Sequence, residues 1–275
     1  MILKFLVDNK TENLSCNAEW GLSIFIEAGG HKVLFDTGAS QMIKDNAEAM
    51  HVDLKEAECC MISHGHYDHT NGMKAFTDVN KTAPIYIHKE AFYIFHGQDE
   101  PDKIDDYNCG ILWTDEFKES ISDRLVLTEN ITKINDCMTL VGNIPDLEGY
   151  KTAEKFFREV NGKIEIDKMN HEQFLVVEED DGIHIVSGCC HKGAVPTIDY
   201  AMKLFSGKRV KSFTAGMHTF PLSDSERERI ANKVIEMGVE KVIPLHCTGM
   251  KMIVKFSEKM GDNAILATAG DTVKL

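Results

Sequence analysis

ECCMISHGHYDHTNG (residues 58–72) runs from a short apolar stretch into a loop that carries His64, His66, Asp68 and His69 within six positions. A polar surface turn can hold a few such side chains. The H-x-H-x-D-H spacing, however, would arise by chance in on the order of one chain in a thousand of this composition. His64 and His66 stand two apart on an extended loop, so both imidazoles can address one ion. Asp68 and His69 follow where the loop turns into a helix, and can address a second ion or a bridging water. Imidazole and carboxylate donors suit zinc first, with iron and manganese as alternatives, and the spacing is compatible with one ion or two. Two ions sharing a water would lower its pKa enough to make hydroxide at neutral pH.

Upstream of the loop, MILKFLVD, GLSIFIEA and HKVLFDTG are β-rich runs, with Ala28-Gly29-Gly30 as a hairpin turn between the last two. A helix is expected from about Ser40 to Met50, a short buried strand over residues 58–63, and a helix across TNGMKAFTDV after the loop. PIYIHK (84–89) reads as a further strand. Residues 90–124, aromatic and acidic and broken by Pro101 and Gly110, read as an insertion or lid, and residues 142–171 as a long irregular loop. From residue 173 the pattern becomes strand, loop and helix in repetition. QFLVVEE and GIHIVSG form a hairpin around Asp180-Asp181-Gly182, and GAVPTIDYAMKLFSG a helix. VKSFTAG is a strand, and SDSERERIANKVIEMG a helix with a capping box at Ser223 and Glu226. EKVIPLHCTG is a strand, GMKMIVKFSEKMG a helix and NAILATAG a last strand. No low-complexity linker interrupts the chain, so the expectation is one α/β domain over 1–275 built from two β-then-α halves.

Three later histidines sit where strands run out: His191 after IHIVSGCC, His218 after SFTAG and His246 after KVIPL. Loops at strand ends are where α/β folds build sites, so these three join the loop as candidate ligands or catalytic groups. The remaining histidines lack that context. His31 and His184 read as structural or solvated, while His96 and His171 lie in the irregular segments, within reach of a substrate. Tyr93, Phe95, Tyr107, Trp113 and Phe117 are either an aromatic cover for a flat ring or the small core of the insertion.

Composition narrows the function classes. The net charge is −14 and the longest basic run is Lys208-Arg209, which disfavours nucleic acid and favours a small-molecule substrate. No apolar run approaches a membrane span, and the absence of a targeting signal points to the cytoplasm. The eight cysteines include the adjacent pairs Cys59-Cys60 and Cys189-Cys190 but no CxxC, so reduced thiols are expected, with Cys59 and Cys60 as buried core.

Taken together, LFDTG (34–38), SHGHYDH (63–69) and the strand-end histidines resemble the metallo-β-lactamase superfamily. EWGLSIFIEAGGHKVLFDTG, SGCCHKG, AGMHTF and PLHCTG are similar to one branch of it. That branch comprises metal-dependent hydrolases related to the dihydropterin ribofuranosylaminobenzene phosphate synthases. The resemblance implies an αβ/βα four-layer sandwich of two mixed sheets with outer helices, bearing one or two metal ions. It further implies that Asp36 is a structural aspartate and that His191 and His246 complete a ligand set begun by His64, His66, Asp68 and His69. The chain departs from the better-known branches at VGNIPD, where Asn143 stands in place of a histidine, leaving Asp199 and Asp271 as weaker substitutes.

The function expected is a metal-dependent hydrolase that uses a metal-activated hydroxide on a small ester-like, phosphorylated or pterin-like substrate. Asp68 would orient the water or take its proton, and His218 would bind substrate, protonate the leaving group or serve as a ligand. The alternatives are a synthase condensing a pterin with a ribofuranosylaminobenzene phosphate, and a non-catalytic metal or ligand sensor.

Overall fold

The computed structural model describes residues 1–98, 100, 103–150 and 155–275. Pro101, and parts of the expected insertion and long loop, lie outside the described residues. The architecture is α/β, with the chain forming two compact units. The first comprises Met1–Glu129, Glu154–His171 and Thr268–Lys274; the second comprises Asn130–Ala153, Glu172–Ala267 and Leu275.

The first unit is built on a seven-stranded mixed sheet. Its strand order is Thr272–Lys274, Ile2–Val7, Ser23–Ala28, His31–Phe35, Cys60–Met61, Ile85–His88, Leu125–Thr128. Pairing is antiparallel as far as His31–Phe35 and parallel beyond it. Gly29 and Gly30 both have positive φ (60° and 85°), the backbone of a tight turn matched to the twist of the flanking strands. The strand before the histidine loop is only two residues long by pairing. Hydrogen bonds from Leu34 N–H to the Cys59 carbonyl and from Ile62 N–H to the Tyr86 carbonyl nonetheless hold its ends rigid. Leu34, Cys60, Ile62, Ile85 and Ile87 pack in one apolar cluster with Ile43 and Ala47 of the helix Met42–Ala49 and Met73 and Phe76 of the helix Met73–Val79.

The stretch expected to be irregular up to His171 contains a hairpin, Phe157–Val160 with Lys163–Ile166, which extends to Ile94–His96 as a three-stranded sheet. Asn161 and Gly162 make its turn, both at positive φ. Within residues 90–124, Phe95 is fully buried, and Trp113 and Phe117 pack against the unit's core. Trp113 Nε1–H also donates to the Thr70 carbonyl at 2.9 Å. These aromatics are therefore core to this unit.

The second unit carries a six-stranded mixed sheet in the order Lys241–Leu245, Arg209–Gly216, Gly182–Ser187, Phe174–Glu179, Met138–Val141, Ile131–Lys133. The helices Ala194–Leu204, Asp224–Glu236 and Met250–Met260 supply Ile198, Ala201, Ile230, Val234, Met252 and Phe256 to one cluster with Val176, Ile185, Phe213 and Val242. The capping box forms as read: Ser223 Oγ accepts from Glu226 N–H, and the Glu226 side chain accepts from Ser223 N–H. The run Asn263–Gly270 is not the last strand. It meets Val242 at a single bridge through Ala264, and Thr272–Lys274 instead completes the first unit's sheet against Ile2–Lys4. Among the described residues, no helix is long and apolar enough to cross a membrane.

His88 ends the strand Ile85–His88, and its Nδ1 accepts from Glu90 N–H at 3.1 Å. Burial, with the His171 imidazole nearby, draws its pKa down to about 4. The unfolded chain takes that proton below about pH 6.5. Between there and about pH 4 the unfolded state thus binds a proton that the folded state refuses, and stability falls with falling pH. The urea midpoint of the metal-free protein should drop across this window. His88→Gln, which keeps an acceptor for Glu90, should make the drop smaller, and an identical pH profile for the variant would contradict the assignment.

Candidate metal centre

The histidine loop begins where two parallel strands, His31–Phe35 and Cys60–Met61, stop side by side. Asp36 follows the first directly, and Ser63 lies two residues beyond the second. Asp36 is fully buried, with φ of 58°, and its carboxylate is saturated by three donors. Oδ1 accepts from Ser63 N–H at 2.7 Å, and Oδ2 accepts from Ser63 Oγ–H and from His69 Nδ1, each at 2.7 Å. Ser63 Oγ also lies 2.9 Å from His64 Nδ1. Because the Ser63 hydroxyl proton goes to Asp36, its oxygen accepts from His64 Nδ1–H. His64 and His69 therefore both carry their proton on Nδ1, which makes Nε2 the coordinating nitrogen of each. His69 Nε2 lies 3.7 Å from the Asp68 carboxylate, and the ring centres of His64 and His69 are 4.2 Å apart.

His66 caps the short helix Tyr67–Thr70 with extended backbone, and its ring centre lies 4.7 Å from that of His64. Phe156 packs 4.7 Å from its ring centre. Burial first, then the neighbouring His171, pulls the His66 pKa down to about 3, so the imidazole is neutral at physiological pH, the form a metal requires. Between His64 and His66 the chain must be glycine, since a Cβ on Gly65 would run into the Ala91 carbonyl oxygen. Gly65 N–H donates to His171 Nδ1 at 2.9 Å, and His171 Nε2–H donates to Asp167 Oδ2 at 2.9 Å. His171 thus holds the loop's backbone, a role its place in an irregular sequence segment does not suggest. His96 instead bonds through Nδ1 to the Asp105 carbonyl.

In the second unit, the chain after Gly182–Ser187 turns through Cys190, at φ of 51°, to His191. The buried Glu172 carboxylate fixes this turn, accepting from His191 N–H at 2.6 Å and from Lys192 N–H at 2.7 Å. His218 and His246 follow their strands with φ of 46° and 47°. Left-handed backbone at a residue other than glycine costs about 1–3 kcal/mol, and it clusters at functional sites. His191 and His218 have ring centres 4.4 Å apart, and His218 N–H donates to Cys247 Sγ at 3.2 Å. Cys189, His218 and Cys247, all buried, offer ligand atoms within 4.8 Å of one another. Burial opposes ionisation of Cys247. Cys189, His246 and His218 outweigh it and hold the thiol well below its ordinary range.

Neither thiol stands out in the sequence. Their only sign there is the position of a cysteine beside a strand-end histidine, in CCH and in HCT. Cys59 and Cys60 are buried as expected, with burial raising both pKa values, and all eight cysteines are free thiols. Asn143, and the two weaker candidates Asp199 and Asp271, are each engaged in other bonds. Asn143 Nδ2 donates to Asn130 Oδ1, Asp199 pairs with Lys203, and Asp271 accepts from Thr268 N–H and Oγ–H.

Residues 21–129, which include the whole histidine loop, match the model of the metallo-beta-lactamase superfamily. The crystal structure of Tm1679, a metal-dependent hydrolase of the beta-lactamase superfamily, superposes with a TM-score of 0.83 at 29% identity, covering 100% of this chain and 99% of that one. The chain has the metallo-β-lactamase fold. It is also 28% identical over 272 residues to the 7,8-dihydropterin-6-methyl-4-(beta-D-ribofuranosyl)-aminobenzene-5'-phosphate synthase of Methanocaldococcus jannaschii, covering 94% of this chain and 90% of the relative. A second protein of that organism, the uncharacterized protein MJ0448, is 28% identical over 263 residues, covering 94% of each. The resemblance read from the sequence is met at both the superfamily and the branch level.

The donors on the histidine loop fit a divalent ion: buried imidazoles, two of them with Nδ1 committed to hydrogen bonds, beside a carboxylate. Asp36→Asn replaces one acceptor oxygen with a donor facing His69 or Ser63. It should weaken zinc binding by about 10–100-fold, measured by competition with a chromophoric chelator. A variant that binds zinc as tightly as the parent would show that Asp36 does not orient the ligands.

Proposed function

We propose that the protein is a metal-dependent hydrolase acting on a small ester-like or phosphorylated substrate. The observation that carries this reading is the Asp36–Ser63 network, which presets His64 and His69 with Nε2 as the coordinating atom. Zinc is the ion proposed, with His64, His66, Asp68 and His69 as ligands, and with His191 and His246 as the further ligands implied by the family resemblance. A divalent ion in such a site supplies Lewis acidity and makes bound water acidic.

The chain's own groups divide the remaining work. The neutral His66 imidazole brings no charge to repel a cation, and Asp68, whose carboxylate lies 3.7 Å from His69 Nε2, is the group proposed to orient the attacking water or accept its proton. The Asp36 carboxylate, fully occupied by donors, holds its own position and orients the ligands. His171 and Gly65 keep the loop backbone from shifting as charge develops.

A second reading, a synthase joining a pterin to a ribofuranosylaminobenzene phosphate, is favoured by the named relative that covers 94% of the chain. Both readings place the same demands on the loop, so the reaction itself must discriminate. Zinc-loaded protein should be assayed against carboxylic esters and phosphodiesters, and separately with both condensation partners. Product from the hydrolytic panel alone supports the hydrolase, and condensed product alone supports the synthase. His66→Ala should lower turnover in whichever assay responds by about 100-fold or more and reduce bound zinc. Full activity and full zinc content in that variant would overturn both readings.

A further inference from the structure

The second unit holds a group of donors that the hydrolase reading does not use. Cys189 lies two residues beyond the strand Gly182–Ser187, His218 two beyond Arg209–Gly216, and Cys247 follows the strand Lys241–Leu245 by two. Three adjacent strands thus each deliver one soft or borderline donor at the same end of the sheet. Their ligand atoms lie within 4.8 Å of one another. Two sulfurs around a tetrahedral zinc are about 3.8 Å apart, given Zn–S bonds of about 2.3 Å, so small side-chain rotations suffice to close the set.

Two further features are specific to sulfur here. A Cβ on Gly216 would come within 2.9 Å of Cys247 Sγ and 2.5 Å of the Gly188 carbonyl, so the bare glycine makes the room that the thiol occupies. His218 N–H points at Cys247 Sγ at 3.2 Å, the kind of backbone donor that supports a thiolate ligand. The next residue continues the support: Thr248 Oγ1 accepts from Met217 N–H at 3.1 Å and donates to the Ala215 carbonyl at 3.2 Å, tying the Cys247 turn to the end of the neighbouring strand. The left-handed backbone of His218 is the local strain that turns its N–H to the sulfur and its ring into the group. A core of buried thiols would need neither the imidazole nor this strain.

We infer that Cys189, His218 and Cys247 form a cation site with two sulfur donors and one nitrogen donor, suited to zinc and other thiophilic divalent ions. Of the roles open to His218, ligation is the one this geometry favours. A set of three protein ligands leaves a fourth position of a tetrahedral ion for water or another donor.

The test is titration of metal-free protein with Co(II) under anaerobic conditions with a non-coordinating phosphine reductant. The expected result is an intense near-ultraviolet thiolate-to-cobalt charge-transfer band. It should weaken in Cys189→Ser and in Cys247→Ser and vanish in the double variant. The same band should survive in His66→Ala, so failure of the histidine-loop reading and failure of this one give different spectra. No charge-transfer band in the parent at saturating Co(II), or a band that persists in the double variant, overturns the site. A second measurement, which does not depend on the serine variants folding, uses the parent chain alone. Zinc should slow alkylation of Cys189 and Cys247 by about tenfold or more relative to Cys60 and Cys190, which are equally buried. Equal slowing at all four thiols would also overturn it.

Discussion

The carboxylate of Asp36 is the interaction on which the histidine loop depends. A buried carboxylate is tolerated only when its oxygens are filled by donors, and here Ser63 N–H, Ser63 Oγ–H and His69 Nδ1–H fill them. Two of these bonds hold Ser63 and the third holds His69, so a single side chain sets the backbone at Ser63, through the Ser63 hydroxyl the tautomer of His64, and the ring orientation of His69. The left-handed conformation of Asp36 is what turns its side chain inward from the strand end. A longer glutamate would displace all three partners, and an asparagine would present a donor to a site that already has only donors.

The second unit uses the same physical device with a different residue. Glu172 is fully buried and accepts the consecutive N–H groups of His191 and Lys192, fixing a strand-end histidine through its backbone as Asp36 fixes His69 through its ring. In both units the residues near the candidate ligands adopt left-handed backbone without being glycine: Asp36 in one, Cys190, His218 and His246 in the other. Strain of about 1–3 kcal/mol per residue persists only where surrounding hydrogen bonds over-determine it. Four of the eight non-glycine residues with positive φ among the described residues are these, the others being His51, Asn143, Asn161 and Met169 in turns and loops elsewhere.

Much of this architecture was legible in the sequence because its signals are local. Apolar runs bounded by Gly-Gly or Asp-Asp-Gly mark the two long hairpins, the Ser223–Glu226 box marks its helix, and H-x-H-x-D-H marks the loop. The Asn161-Gly162 turn and the alternating run Lys163–Ile166 carried an equally clear signal, but the partner strand Phe157–Val160 does not alternate and Lys163–Ile166 is exposed, so no buried apolar face marked the pair. The last strand was misplaced because NAILATAG looks apolar enough, whereas pairing depends on a partner edge, and Ile2–Val7 offers that edge to Thr272–Lys274. His171 read only as a histidine within reach of a substrate, and Cys189 and Cys247 carried no signal beyond a strand-end histidine nearby. What distinguishes them is proximity across long stretches of chain, such as Gly65 to His171, which no spacing rule encodes.

Burial also explains why the loop is poised for a cation. His66 sits where a charged imidazole is penalised so strongly that its pKa falls to about 3, and the fold therefore supplies a neutral lone pair at any physiological pH. A cation entering such a site competes with no bound proton, so its binding is insensitive to pH over the range in which a solvent-exposed histidine would lose affinity. The same burial makes the site costly to assemble, since each imidazole must be desolvated and oriented before any ion repays it. The hydrogen bonds from Asp36, Ser63 and His171 offset that cost in the folded chain itself, which is why the loop can be preorganised rather than shaped by the ion. Hydrolysis and condensation both profit from such a rigid electrophilic centre. The choice between them therefore rests on what the surrounding surface binds, and the ligand geometry is common to both.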